Sequence, residues 1–385
     1  MGVNDRNKHR FEGMWPLPYG VSYNSYLIDD EMVALVDTVD ICYFEVYLRK
    51  IKQVIGERPI NYLIINHMEP DHSGSIRLIK QHYPEIIIVG NKQTFGMIEG
   101  FYGVTGEQYL VKEGDFLALG HHKLRFYMTP MVHWPETMMT FDETDGVLFS
   151  GDGFGCFGTV DGGFLDTRIN VDKYWGEMVR YYSNIVGKYG SPVQKALQKL
   201  GGLPISAICS THGPVWTENI AKVIGIYDRL SRYDADEGVV IAYGSMYGNT
   251  EQMAEAIAEE LSAQGVKNIV MHNVTKSHPS YILADIFRYK GLIIGSPTYS
   301  NQIFPEVEAL LSKILLREVK GRYLGYFGSF TWAGAAVKRL AEFAEKSKFE
   351  LVGDPVEMKQ AMKDLTYTQC ENLARAMADR LKKDR

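Results

Sequence analysis

The chain has 385 residues, enough for two or three domains that each bury a hydrophobic core. Its formal net charge is −6 and no basic stripe is present, which argues against nucleic acid as the main partner. The first ten residues are polar and no apolar run approaches membrane-spanning length, so we expect neither a secretory signal nor a membrane anchor.

The cysteines indicate the redox setting. Four are scattered through the chain without a C-x-x-C pair: Cys42, Cys156, Cys209 and Cys370. We therefore expect free thiols in a cytoplasmic protein, and no fused rubredoxin or iron–sulfur module.

The first half is rich in predicted strands, with hairpin signals at residues 28–32 and 142–146. An apolar run at residues 61–66 predicts a buried strand, and four possible metal ligands follow it directly: His67, Glu69, Asp71 and His72. Pro70 supplies the turn that would let them converge. Two carboxylates with two imidazoles suit iron at least as well as zinc. The alternative is a polar loop whose side chains only cap a helix.

Three further predicted strands in this half also end on a possible ligand. Residues 122–128 precede His133, residues 146–150 precede Asp152, and residues 205–210 precede His212. This recurrence predicts a metal site at one edge of a sheet. We expect the other histidines to be solvated or structural: His9, His82, His121, His122, His272 and His278.

A domain boundary is predicted near residue 234. A helical stretch at 218–231 leads into a charged segment, after which strands and helices alternate as in βαβ units. We predict domains at residues 1–234 and 235–385. Strands of the second are expected near 239–243, 268–273, 291–295, 322–327 and 348–352, with a last helix at 369–382.

A small and hydroxyl-rich loop at residues 244–250 lies between the first strand and first helix of this second half. It lacks a P-loop lysine, and no G-x-G-x-x-G is present, so a monophosphate held by amides and hydroxyls fits best. The loops at 295–301 and 328–334 are aromatic and rich in hydrogen-bond donors, although ordinary turns are the alternative. The predicted cofactor-binding residues are Ser245, Met246, Tyr247, Gly248, Asn249, Thr250, Pro297, Thr298, Tyr299, Asn301, Ser329, Phe330, Thr331, Trp332 and Gly334.

The first half resembles the metallo-β-lactamase fold, an αββα sandwich with its metals at one sheet edge. The common zinc form has His-x-His-x-Asp-His, whereas this chain has Glu69 at the third position, which is the variant of the flavodiiron proteins. The resemblance continues in order through His133, Asp152 and His212. It implies one iron held by His67, Glu69 and His133, and another by Asp71, His72 and His212, with Asp152 bridging.

The second half resembles flavodoxin, through the phosphate loop Ser/Thr-x-Thr/Tyr-Gly-Asn-Thr. This resemblance implies FMN bound to a doubly wound parallel sheet of five strands in the order 2-1-3-4-5, at the switch point of the sheet. Reduced FMN and a diferrous pair together hold four electrons. The resemblance therefore implies reduction of O₂ to water, of NO to N₂O, or of both.

The same resemblance implies a head-to-tail homodimer, or a tetramer, in which the flavin of one chain faces the irons of another. A rubredoxin-like protein, a flavoprotein reductase or a deazaflavin coenzyme are the alternatives for a separate electron donor. We expect Trp134 and the hydroxyls of Tyr19, Tyr23 or Tyr26 to line the pocket. The rival functions are a zinc hydrolase fused to a flavodoxin and an electron-carrier flavodoxin fusion.

Overall fold

The computed structural model describes residues 1–384, which divide into two compact units, Met1–Ser231 and a second that begins at Arg232. The division lies close to the predicted boundary after residue 234. Each unit contains the elements expected from its sequence pattern.

The first unit contains two five-stranded sheets and two short strand pairs. Its strands are β1 (Val3–Asp5), β2 (Arg10–Phe11), β3 (Trp15–Pro16), β4 (Val21–Tyr23), β5 (Tyr26–Ile28), β6 (Ala34–Val36), β7 (Tyr62–Ile64), β8 (Ile87–Gly90), β9 (Gln108–Leu110), β10 (Phe116–Ala118), β11 (Lys123–Met128), β12 (Met138–Asp142), β13 (Val147–Gly151) and β14 (Ala207–Ser210). Both predicted hairpins are present, β5–β6 and β12–β13.

The helices of this unit have the amphipathic pattern of a layer that covers a sheet. They are α1 (Phe44–Ile55), α2 (Pro70–Ser73), α3 (Ile76–His82), α4 (Lys92–Tyr102), α5 (Asp172–Tyr181), α6 (Gly190–Leu200) and α7 (Ile220–Ser231), with a π-helical turn at Tyr182–Val186. In α1, for example, Tyr47, Leu48, Ile51 and Ile55 lie on one buried face.

One hydrophobic cluster joins the two sheets of the first unit. The sheets have the strand orders β5-β6-β7-β8-β9 and β10-β11-β12-β13-β14. Ile64 and Val89 of the first pack with Phe126 and Phe149 of the second. The inner faces of the two sheets therefore form one core. Together with the amphipathic helices of this unit, this confirms the predicted αββα sandwich.

The second unit has the strands β15 (Asp236–Tyr243), β16 (Ile269–Asn273), β17 (Tyr289–Tyr299), β18 (Gln302–Ile303), β19 (Tyr323–Phe330), β20 (Glu350–Leu351) and β21 (Val356–Lys359). They form one sheet whose parallel strands have the order β16-β15-β17-β19-β20, and the short β18 pairs with β17 in the antiparallel direction. Its helices are α8 (Asn249–Ala263), α9 (Pro279–Arg288), α10 (Pro305–Arg317), α11 (Ala336–Ser347) and α12 (Asp364–Lys382). The predicted order 2-1-3-4-5 is confirmed.

The fifth strand of this sheet differs from the prediction. It is broken into β20 and β21, which both pair with β19. The break contains Gly353, with a φ of 70°, and Pro355, which has no N–H for the ladder. The predicted strand at 348–352 is therefore only the first part of the fifth strand.

Among the described residues, no helix combines the length and apolarity needed to cross a membrane. All four cysteines are unpaired.

Candidate functional site

The polar residues predicted as metal ligands follow strand ends at one edge of the first unit. Glu69 and its neighbours follow β7, and His212 follows β14. Strand β13 is parallel to β14, and β11 runs in the same direction because β12 is antiparallel to both β11 and β13. The loops that carry His133 and Asp152 therefore leave the second sheet at the same edge as the loop that carries His212.

A first group contains His67, Glu69, His133 and Asp152, all buried. His133 Nε2 lies 3.1 Å from both Glu69 Oε2 and Asp152 Oδ2. His67 Nε2 lies 3.4 Å from Glu69 Oε2 and 3.5 Å from Asp152 Oδ2. Two donors bound to one ion at about 2.1 Å are separated by about 3.0–3.4 Å, so these spacings match one shared ion.

A second buried group contains Asp71, His72 and His212. The Nε2 atoms of His72 and His212 each lie 3.3 Å from an oxygen of Asp71. Asp152 also reaches this group, because its Oδ1 lies 2.8 Å from His72 Nε2 and 3.7 Å from His212 Nε2. The two oxygens of Asp152 thus face different groups.

Several of these inward-facing atoms are buried without a hydrogen-bond partner within residues 1–384. They are His67 Nε2, both carboxylate oxygens of Asp71, and the Nε2 atoms of His72 and His212. Buried polar atoms without partners are costly, and a bound cation would satisfy them. The residues present therefore fit a pair of metal ions.

The charges of the metal-free groups are strongly coupled. Burial alone would raise the pKa of Glu69, but the neighbouring imidazoles of His133 and His67 lower it to about 2. Burial alone would lower the pKa of His72 and His133, but the surrounding carboxylates raise each to about 9. Protons on imidazoles thus balance the carboxylates in the absence of metal.

The imidazoles of His67 and His212 differ in the group that contacts Nδ1, the ring nitrogen that faces away from the two groups. His67 Nδ1 lies 2.9 Å from Glu136 Oε1, which also accepts a hydrogen bond from the backbone N–H of Met68. His212 Nδ1 lies 2.7 Å from the carbonyl oxygen of Ser22. Glu136 and Ser22 were not among the predicted site residues. For Glu136 the available signal was an acid three residues after a predicted ligand.

Aromatic rings enclose the two groups. Trp134 lies 5.4 Å from the ring of His67, and Tyr23 lies 5.9 Å from the ring of His212. Both were predicted as pocket residues. Tyr23 Oη accepts a hydrogen bond from Lys8 Nζ at 2.8 Å.

Two other predicted tyrosines lie elsewhere. The Tyr26 hydroxyl donates to the carbonyl of Ser210, and its ring packs on Phe149. Tyr19 is half exposed, beside the ammonium of Lys173.

Tyr181, at the end of α5, was missed by the sequence analysis. Its ring lies 5.6 Å from His212, and burial raises the pKa of its hydroxyl well above the usual value. The hydroxyl has no hydrogen-bond partner among the described residues. No local sequence pattern distinguishes Tyr181 from the other tyrosines of the chain.

A cavity of about 500 Å³ opens beside the metal groups. Glu69 and Asp71 lie in its wall, with Phe11, Phe101 and Tyr102 among the other lining residues. Phe101 is largely exposed. A small molecule can therefore approach both groups from this side.

The second unit has a cavity of about 430 Å³ at the carboxyl ends of β15, β17 and β19. Thirteen of the fifteen predicted cofactor-binding residues line it; the exceptions are Gly248 and Gly334. Ser300, Ala333 and Gln360 line it as well. Gln360 follows β21, the strand segment that the sequence analysis did not predict.

The loop at the start of α8 is shaped to bind an anion. Gly248 has a φ of 88°, and the Ser245 hydroxyl accepts a hydrogen bond from its N–H at 3.2 Å. No side chain caps the helix, so its first N–H groups remain available. Thr250 Oγ1 lies 2.8 Å from Ser329 Oγ. Tyr247 and Trp332 expose their rings at this cavity, where a planar ring would cover them.

Two family matches cover the two units. Residues 21–213 match the family described as ODP family beta lactamase, and residues 241–373 match Flavodoxin. These regions coincide with the sandwich and with the parallel sheet.

Named relatives match over nearly the whole chain. The chain is 33% identical to the rubredoxin-oxygen oxidoreductase of Megalodesulfovibrio gigas over 99% of its length and 96% of that protein. It is 32% identical to the anaerobic nitric oxide reductase flavorubredoxin of Vibrio vulnificus, over 91% of its own length and 72% of the relative.

Solved structures give the same result. The rubredoxin oxygen:oxidoreductase of Desulfovibrio gigas has a TM-score of 0.95 at 31% identity, covering 99% of this chain and 96% of that one. The flavodiiron protein of Giardia intestinalis has a TM-score of 0.93 at 26% identity, covering 100% and 95%. The chain belongs to the family of flavodiiron proteins, with a metallo-β-lactamase-like domain followed by a flavodoxin-like domain.

Proposed function

We propose that this protein reduces O₂ to water, NO to N₂O, or both, at a non-haem diiron site supplied with electrons by FMN. The observation that carries the proposal is the convergence of seven buried ligand-type side chains into two adjacent groups that share Asp152. The relatives named for oxygen and for nitric oxide reduction support both substrates.

In this proposal the first group, with His67, Glu69 and His133, holds one iron, and Asp71, His72 and His212 hold the other. Asp152 would contribute to both positions, because one of its oxygens faces each group. Mixed imidazole and carboxylate donors suit iron, and bound cations would satisfy the buried atoms of both groups that lack hydrogen-bond partners among the described residues. When bound, the iron pair would bind the diatomic substrate and pass electrons to it.

FMN is the cofactor that best fits the cavity of the second unit. The uncapped start of α8 and the Ser245 loop would hold the phosphate. Tyr247 and Trp332 would cover the ring, which supplies two electrons when reduced. Together with a diferrous pair this gives the four electrons that, with four protons, turn O₂ into two waters.

The residues around the site would position the substrate, exclude water and supply protons. Trp134 and Phe11 place apolar surface against the imidazoles of His67 and His212, and Phe157 packs on Phe11. Low polarity strengthens the electrostatic interactions within the site. The Tyr181 hydroxyl is the one polar group we assign to proton donation, because it is buried, neutral and without a protein partner.

We further propose a head-to-tail homodimer, or a tetramer, in the cytoplasm. Each unit exposes apolar side chains at its cavity, Phe101 and Ile41 in the first and Trp332 in the second. A second chain would cover them. A separate rubredoxin-type donor is favoured by the name of the Megalodesulfovibrio gigas relative.

Anaerobic reduction followed by stopped-flow mixing with O₂ and, separately, NO tests the proposal. We expect two irons and one FMN per chain, with four electrons consumed per O₂ or one per NO. Two zinc ions with hydrolytic activity would instead establish a hydrolase. Glu69→Ala that leaves consumption of both gases unchanged would favour a simple electron carrier.

A further inference from the structure

The two proposed metal positions have matching donor sets. Each has two imidazoles, one carboxylate of its own and one oxygen of Asp152: His67, His133 and Glu69 in the first, and His72, His212 and Asp71 in the second. Direct ligands therefore give no reason for the two positions to bind metal differently.

The contacts of the outward-facing Nδ1 atoms of the histidines differ between the two positions. His67 Nδ1 meets the carboxylate of Glu136 at 2.9 Å, and both residues are fully buried. His212 Nδ1 meets only the neutral carbonyl of Ser22. His72 Nδ1 has no hydrogen-bond partner within residues 1–384. One position is thus supported by a buried negative charge that the other lacks.

A carboxylate behind a ligating imidazole fixes its tautomer and orientation and makes its other nitrogen a stronger donor. Glu136 is itself held in place, because Oε1 also accepts from the N–H of Met68 and its carbonyl accepts from Asn91 Nδ2 at 2.6 Å. Glu136 Oε2 is buried and has no hydrogen-bond partner among residues 1–384, so the described residues offer no second group to neutralise the carboxylate.

We propose that Glu136 is a positioning residue that makes the two metal positions unequal, so that the position of His67 holds its ion more tightly and the position of His212 is the labile one. This inference rests on the proposed diiron function for the identity of the metal. The asymmetry itself follows from the protein contacts and applies to any divalent ion at these ligands.

The test is a chelator titration of the full-length protein as isolated, with metal retained per chain as the readout. We expect the metal to be released in two steps. His212→Ala should abolish the weaker step and leave the tighter one, which would assign the weaker step to the second position. Glu136→Gln should weaken the tighter step by roughly 10–100-fold and leave the weaker step unchanged.

Asp142→Asn is the matched control. Asp142, the last residue of β12, is also a buried acid beside a histidine, since it meets His122 Nδ1 at 2.8 Å. These two residues and Asp145 form a separate, partly exposed group that shares no residue with the two metal groups. We expect Asp142→Asn to release its metal in the same two steps, at the same chelator concentrations, as the wild-type protein. A shift of both steps by Asp142→Asn similar to that of Glu136→Gln would overturn the inference, since it would mean a general loss of stability.

Equal weakening of both steps by Glu136→Gln, or no change, would also overturn it. If Glu136→Gln does not fold, the wild-type titration decides, because release of both ions in one step contradicts inequality. Protein isolated with zinc in place of iron would contradict the proposed function, but the same titration would still test the asymmetry.

Discussion

The ring of Tyr181 lies 5.6 Å from the ring of His212, and its buried hydroxyl has no hydrogen-bond partner among the described residues. A buried hydroxyl without a partner costs stability, so a purely structural tyrosine would be better replaced by phenylalanine. Its position beside the proposed metal groups is the reason that we expect a bound species to use this hydroxyl.

Tyr181→Phe is therefore expected to slow gas reduction while leaving the melting temperature unchanged or slightly higher. Loss of a hydrogen bond to a charged species costs about 1.5–3 kcal/mol, which is roughly tenfold or more in rate. Stopped-flow turnover and thermal unfolding measure the two effects. Wild-type turnover in Tyr181→Phe would remove this residue from the mechanism.

Asp152→Asn should reduce the metal content of both positions. The substitution keeps the size of the side chain, but it removes the charge whose two oxygens face His133 and His72 at 3.1 and 2.8 Å. Asp71→Asn should affect mainly one position, because its oxygens face only His72 and His212. Elemental analysis per chain distinguishes these results, and loss of a single ion in Asp152→Asn would argue against a bridge.

The affinity for metal should rise with pH between about 6.5 and 9. Without metal, the imidazoles of His72 and His133 have pKa values raised to about 9, so binding must displace their protons. Chelator competition at pH 6.5, 7.5 and 8.5 measures the slope. An affinity independent of pH over this range would show that the imidazoles are neutral before metal binds.

The metal-free protein should show the opposite trend in stability. A histidine whose pKa is raised in the folded state stabilises the fold fully below its unfolded pKa of about 6.5, and the contribution is lost as the pH rises through 9. Thermal unfolding of chelator-treated protein across this window should give falling melting temperatures. A rise would contradict the proposed proton balance.

Trp332→Ala should weaken FMN binding by roughly tenfold. The ring is 82% exposed at the cavity, and stacking of an aromatic pair contributes about 0.5–1.5 kcal/mol in addition to buried area. Fluorescence titration of flavin-depleted protein with FMN measures the change. Leu365→Ala is the control, because Leu365 is 72% exposed and does not line the cavity; equal effects of the two substitutions would argue against stacking.

The two folds and the set of candidate ligands could be predicted from the amino-acid sequence. Strand–ligand patterns such as residues 61–72 are local, and a parallel sheet brings the ends of its strands to one edge, so the spatial grouping followed from order along the chain. The phosphate loop at 244–250 was predicted for the same reason, since all of its groups are consecutive. Metal and FMN binding by these residues remain predictions.

The contacts between individual atoms could not be predicted in this way, because they depend on the folded chain. Glu136 supports His67 across 69 positions, and Ser22 supports His212 across 190. Tyr181 and Gln360 reach their sites from elements whose rotation and register depend on packing of the whole unit. Such contacts join residues that no local pattern connects, because they are selected by side-chain packing and hydrogen-bond geometry in the folded chain.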